Sequence, residues 1–311
     1  MLPEKGPWPH PYYEVADTFV EVSFTCSSGV ERTVRVRQKV MGQGPEVVLV
    51  HGLMTSSYSF RYVLEPLART RRLFVPDLVG AGATDKPGDL VYSVENVARF
   101  LTAYVRSVAR EPVLLVGNSL GGLTCLRALL ADERGDLARR FVLMHAPGYP
   151  FARTRALRAA LGAPGVGPAL MELVARIAHR FPHPFVARNV HYHRRDMMSR
   201  EECVEYGRLF ETLDGARVFA RILAESLDPE EHARILADLR SRARFPCPVR
   251  ILFAREDVMV PPSFGPRFHA DIPGSELVWF DDASHFLQVD APEETARAVL
   301  SFDRDEEARA S

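Results

Sequence analysis

Short unbroken apolar runs recur along the chain, and most lead into a stretch in which apolar residues return every three or four positions. Val47 to Val50, Leu73 to Val75, Val113 to Val116, Arg139 to Met144, Val249 to Ala254 and Glu276 to Phe280 have the length and side chains of buried strands. Ser57 to Ala68, Val94 to Val108, Leu120 to Leu130, Pro262 to Ala270 and Pro292 to Phe302 have helical spacing, with Ser93 as a candidate N-cap. Strands separated by helices in this rhythm imply right-handed crossovers, so the expected fold class is α/β with a doubly wound, mostly parallel sheet. Two earlier stretches, Thr18 to Thr25 and Arg32 to Val40, alternate apolar and polar residues on either side of Ser27-Ser28-Gly29. That is the pattern of a hairpin with one solvated face.

From Gly148 to about Phe245 no run resembles a buried strand. The stretch is dense in arginine and histidine and has helical periodicity at Ala169 to Ala178 and Val204 to Leu213. It reads as a helical cap, 148–245, inserted into a core made of 1–147 and 246–311. The first residues, to about position 14, are rich in proline and aromatics and read as an extended arm packed on the body. The tail Asp303 to Ser311 is charged and expected to fray.

Composition narrows the function without naming it. An apolar fraction of 47%, a charged fraction of 25% and a net charge of -1 describe an ordinary globular protein with no call for nucleic acid or an anionic membrane. Cys26, Cys125, Cys203 and Cys247 form no Cys-x-x-Cys pair and read as buried thiols in a reducing compartment. The N-terminus has no apolar signal-like region and no segment is long enough to span a bilayer, so a cytoplasmic protein is expected.

The chemistry is expected at Pro112 to Leu123, where a buried strand stops at Gly117-Asn118-Ser119-Leu120-Gly121 and a helix begins at once. A serine at such a turn is forced to positive φ, and the flanking glycines remove side chains that would collide there. The hydroxyl is then lifted above the sheet beside the free N–H groups of the helix start. Serine attacks a carbonyl only when a base takes its proton, and His285, between the last strand and the last helix, is the candidate. Asp257 follows the strand Val249 to Ala254 directly and is the candidate carboxylate that orients the imidazole; Glu256 is its main rival, ahead of Asp281 and Asp282. Candidate oxyanion donors are the backbone N–H of Leu120 and that of Leu53 in His51-Gly52-Leu53.

These residues, with the glycine-rich loop Asp77 to Asp85 and the order serine, acid, histidine, resemble the α/β-hydrolase fold superfamily over nearly the whole chain. The resemblance implies an eight-stranded sheet with the cap inserted after the sixth strand. It is closest to capped bacterial enzymes of the epoxide hydrolase, haloalkane dehalogenase and carbon-carbon-bond hydrolase type. The first two use an aspartate nucleophile where this chain has Ser119, which argues against both activities. The expectation is therefore a serine hydrolase that cleaves an ester or thioester of a small to medium apolar substrate, carrier- or CoA-linked acyl chains included, with no cofactor and no metal. Two alternatives stay open: carbon-carbon cleavage or acyl transfer with the same residues, and a non-catalytic ligand-binding protein on the same fold. His51, Met54, Phe60, His145 and Phe286 are the candidate pocket residues. Arg188 to Asp196 is a candidate anion site, and the spacing of His191 and His193 is too weak a signal for a metal.

Overall fold

The computed structural model describes residues 6–163 and 165–304. Its sheet has eight strands: β1 (Asp17–Thr25), β2 (Glu31–Met41), β3 (Glu46–Val50), β4 (Arg72–Pro76), β5 (Val113–Asn118), β6 (Ala138–Met144), β7 (Val249–Ala254) and β8 (Glu276–Phe280). They lie in the order β1-β2-β4-β3-β5-β6-β7-β8. The first two strands form the expected hairpin, with Val22 opposite Val34 on the buried face and Ser23 opposite Thr33 on the wet one. β2 joins β4 antiparallel, and every later pairing is parallel.

The sheet separates two apolar cores, as the side-chain period of two demands. Val48, Val50, Leu115 and Leu143 point into one, under α2 (Val94–Val108) and α3 (Leu120–Ala131); Val47, Leu49, Val116 and Val142 point into the other, which holds residues of α1 (Leu64–Ala68) and α12 (Pro292–Arg304). Ser93 caps α2 by accepting the Asn96 N–H, and Val94, Val97, Ala98, Leu101 and Val105 supply its buried stripe. Asp77, fully buried after β4, accepts from Ser57 N, Arg37 Nη1 and Ala83 N and so ties β2, β4 and the loop beyond β3 together.

Between β6 and β7 there is no strand among the described residues. The segment holds α4 (Ala152–Gly162), α5 (Val166–Arg180), α6 (Pro182–Asn189), α7 (Arg200–Gly207), α8 (Leu213–Glu225) and α9 (Pro229–Ser241). α9 touches α3, and its Ile235, Leu236 and Leu239 join the core beneath α2 and α3, so the packing changes before residue 245. The remaining helices, α10 (Phe264–Asp271) and the short α11 (Leu287–Asp290), follow β7 and β8.

Two expected helices break where the chain supplies a reason. Ser57 to Ala68 is a 3-10 turn at Ser57–Phe60 followed by α1, because Pro66 has no N–H to give the Tyr62 carbonyl and can sit only in a first turn. Val204 to Leu213 spans the end of α7, a 3-10 turn and the start of α8, because Thr212 accepts the Gly215 N–H and caps a new helix. The N-terminal arm touches the body from Trp8 onward, but Pro11 to Val15 form a turn rather than the expected extended segment. Tyr12 is fully buried with its hydroxyl 2.8 Å from Ser57 Oγ, and Tyr13 donates to Glu205 of α7. Asp303 does not fray: it is buried and accepts from Arg71 and Arg139. The rest of the expected tail, from 305 on, lies outside the described residues.

Candidate active site

Ser119 closes β5 and opens α3 with φ +56°, the left-handed region that an L-residue enters only when its surroundings compel it. Its N–H is held by the Met144 carbonyl at 2.8 Å. The glycines around it are required by space. A Cβ on Gly121 would lie 2.4 Å from the His51 and Val50 carbonyl oxygens, and one on Gly117 2.7 Å from the Gly121 carbonyl oxygen. Gly52 meets the serine itself: a Cβ there would sit 2.8 Å from Ser119 Cβ and 3.4 Å from Oγ.

His51, expected in the pocket, is buried behind it. Its Nε2 accepts the Leu78 N–H at 2.9 Å, which leaves the proton on Nδ1 to be donated to the Gly52 carbonyl at 2.8 Å. Burial lowers its pKa and keeps the ring neutral, as that pattern needs. Thr55 Oγ1 donates to the same carbonyl. In a trans peptide C=O and N–H point opposite ways, so the two bonds that pin Gly52 O aim the Leu53 N–H away from His51 and Thr55. Leu53 and Leu120 both line the cavity that Ser119 faces. The Leu120 N–H belongs to the first turn of α3, where no intrahelical acceptor exists.

His285 lies between β8 and α11 and lines the same cavity as Ser119. Its Nδ1 is 2.8 Å from Asp257 Oδ2. The other oxygen of Asp257 accepts the N–H groups of Met259 at 2.7 Å and Val260 at 3.0 Å, which fixes the carboxylate plane. Burial works against the charged form, but His285 and then His145 outweigh it and hold Asp257 below the usual carboxylate range. The rival acids point elsewhere. Glu256 is exposed and pairs with His193, and Asp281 pairs with Arg255.

His145 is the residue whose position the sequence left most open. It follows β6 at φ +47°, is fully buried, and brings Nδ1 to 2.7 Å from the same Asp257 Oδ2. Burial pushes its pKa down more than Asp257 raises it, so the ring is neutral; among the described residues neither of its nitrogens has a hydrogen-bond partner, and the approach of Nδ1 to Asp257 is a close contact only. Asp257 thus stands between two imidazoles. Donor atoms on one tetrahedral zinc ion stand ~3.4 Å apart. The separations of 2.7 and 2.8 Å are shorter than that, and the one to His285 Nδ1 is a hydrogen bond.

The cavity measures about 250 Å³. Met54 and Phe286 line it as expected, while Phe60 and His145 join His51 in facing away from it; Phe60 is packed in the core beside α1. Sequence reasoning missed most of the wall: Phe151 and Leu157 around α4, Phe185 of α6, Phe219 and Leu223 of α8, and Met259 and Val260 after β7. The one signal available was the apolar i, i+4 pair Phe219 and Leu223. Among the described residues of the expected anion segment Arg188 to Asp196, Asn189 and Val190 reach the cavity. Tyr192, His193 and Arg194 tie the segment to its neighbours: the N–H groups of His193 and Arg194 donate to Asp290, Tyr192 donates to Glu202, and Arg194 stacks on Trp8. His193 pairs with Glu256 and His191 is exposed, so the two do not converge as ligands.

A model of the alpha/beta hydrolase family matches residues 47–298. The 2-hydroxy-6-oxo-2,4-heptadienoate hydrolase of Pseudomonas putida is 29% identical over 269 residues, covering 84% of this chain and 90% of that one. Haloalkane dehalogenase 2 of Mycobacterium tuberculosis is 27% identical over 273 residues, covering 83% and 88%. A solved structure of a thermophilic esterase from Thermogutta terrifontis has the same fold, with a TM-score of 0.71 at 20% identity over 92% of this chain and 98% of its own. Among the described residues no helix is long and apolar enough to cross a membrane.

Proposed function

Because the chain belongs to the alpha/beta hydrolase family, we propose that it is a serine hydrolase that cleaves an ester or thioester through an acyl-enzyme on Ser119. One observation carries the reading: Ser119 and His285 open onto a single cavity, with Asp257 2.8 Å behind the imidazole. Ser119 Oγ attacks the acyl carbonyl as His285 takes its proton, and the imidazolium returns that proton to the leaving alcohol or thiol. Asp257 keeps Nδ1 protonated and stabilises the cation. The N–H groups of Leu53 and Leu120 receive the oxyanion, each worth about 3 kcal/mol of barrier. Water then attacks the acyl-serine with His285 again as base, releasing the acid. The apolar walls and the volume of about 250 Å³ suit a small to medium acyl group, with α4, α6 and α8 acting as a cap over it.

Carbon-carbon cleavage of a vinylogous diketone is the second reading. It is favoured by the relative from Pseudomonas putida, named for hydrolysis of a dienoate. Dehalogenation is not proposed, since a serine forms an acyl-enzyme rather than an alkyl ester of a carboxylate. A fluorophosphonate is expected to label Ser119 in the native chain and to leave Ser119→Ala unlabelled. No labelling, under conditions that label a control esterase, overturns the catalytic reading in favour of a binding protein on the same fold. A panel of acyl esters, acyl thioesters and a vinylogous diketone then separates the two catalytic readings by product.

A further inference from the structure

A second cavity, of about 450 Å³, adjoins the first. The two share Thr154 and Leu227, and α4 is the partition: Thr154 and Leu157 face the cavity of Ser119, while Arg155 and Arg158 face the other. Its floor is apolar, with Leu227, Pro229 and Leu236. Its rim carries the guanidinium groups of Arg155, Arg158, Arg240 and Arg267.

Two carboxylates answer those four cations. Asp228 stands 3.7 Å from Arg158, and Asp271 stands 2.8 Å from Arg240. Arg267 lies over the Tyr149 ring at 3.8 Å. Neither Arg267 nor Arg155 has a carboxylate within ion-pair distance among the described residues. His232, also at the wall, is bonded to the Ser226 carbonyl and kept neutral by burial, so it adds no charge. The surplus is about two positive charges, which matches a phosphate monoester of charge about -1.5 to -2 at neutral pH rather than a single carboxylate. Guanidinium forks are the groups suited to bind its oxygens. A cavity of this volume has room for more than the phosphate alone.

We propose that this cavity receives the phosphate-bearing leaving group of the substrate, so that the substrate is an acyl ester or thioester of a phosphorylated carrier. The proposal rests on the acyl-enzyme reading above. The acyl chain occupies the apolar cavity of Ser119, and the carrier passes the shared wall at Thr154 and Leu227 into the arginine-rimmed one.

The test compares butyryl-CoA with butyryl-pantetheine, the same acyl thioester without the phosphorylated nucleotide, in the native chain and in the double variant Arg155→Glu, Arg267→Glu. Both substituted residues are exposed and lie outside the proposed catalytic groups. The native chain is expected to prefer butyryl-CoA by about tenfold or more in kcat/KM at low salt, less at high salt. The variant is expected to lose that preference while hydrolysing butyryl-pantetheine as before. ADP is expected to compete with butyryl-CoA in the native chain and not in the variant. Equal kcat/KM for the two thioesters in the native chain overturns the inference and leaves the hydrolase reading standing. Binding of ADP without a preference for butyryl-CoA also overturns it, in favour of a site for a free anion. Failure to hydrolyse either thioester, together with no fluorophosphonate labelling, overturns the hydrolase reading itself.

Discussion

Replacing Asp257 with Asn separates the charge of this side chain from its shape. Oδ1 accepts two backbone N–H groups, at 2.7 and 3.0 Å, so the amide oxygen of the variant must take that seat. The flipped amide would set an NH₂ against two buried donors, at a cost of about 1–3 kcal/mol for each group left unpaired. The NH₂ therefore occupies the Oδ2 position, 2.8 Å from His285 Nδ1 and 2.7 Å from His145 Nδ1. A donor there forces the His285 Nδ1 to become an acceptor, which moves its proton to Nε2. An imidazole that meets Ser119 already protonated on Nε2 cannot take the serine proton. The expected loss is about 10⁴ in kcat, or ~5 kcal/mol of barrier. The assay is turnover of an activated acyl ester together with the rate of fluorophosphonate labelling. A melting curve shows whether the variant is folded. Both rates should fall together in a folded protein. A folded variant that keeps kcat within about tenfold of the native chain would refute the claim that Asp257 sets the tautomer.

Much of the fold was legible because it is written in local signals. β3, β5 and β7 are buried along their whole length and each is built on an unbroken apolar run, and Ser93 marks the start of α2 in the sequence as in space. The serine turn was legible for the same reason: the residues that give Ser119 its conformation, Gly117 and Gly121, are two positions away. What failed to read out depends on partners remote in the chain. His51 and His145 stand at the sheet edge, where pocket residues are expected, yet each is turned inward against a distant group, by a hydrogen bond from the Leu78 N–H for one and by a close contact with Asp257 for the other. Phe60 is carried into the core because Pro66 breaks the expected helix and Asp77 holds Ser57. The cavity walls from α4, α6 and α8 depend on how those helices lie across the core, which an amphipathic stripe does not specify. The same holds for the surplus of arginine: its density between Gly148 and Phe245 is visible in composition, but which arginines face a cavity and which face carboxylates is decided only by packing.

Gly52→Ala should abolish most turnover with little change in folding, because the new methyl would press on Ser119 Cβ at 2.8 Å and displace the hydroxyl. A loss of about 10²-fold in kcat is expected from a misplacement on that scale, and unchanged kinetics in a folded variant would contradict the tight approach. His51→Ala should strand the Leu78 N–H and leave the Gly52 carbonyl held by Thr55 alone, costing about 1–3 kcal/mol of stability in a denaturant titration and lowering kcat with it; a variant that melts normally and turns over normally would contradict a positioning role for His51. The last prediction concerns acid. Asp257 has a pKa depressed by His285 and His145, so the native state binds its proton less readily than the unfolded chain does. The stability it contributes is therefore fully present above the ordinary carboxylate range, near 3.8, and is lost as pH falls below that toward the lower native value. Asp257→Asn cannot titrate, so its melting temperature should lack this acid-side decline. The gap between native and variant should be widest at neutral pH and should close as pH drops below about 4. A gap that stayed constant from pH 7 to pH 2.5 would mean that the two imidazoles do not hold the carboxylate ionised, and the arrangement of Asp257 between His285 and His145 would need another explanation.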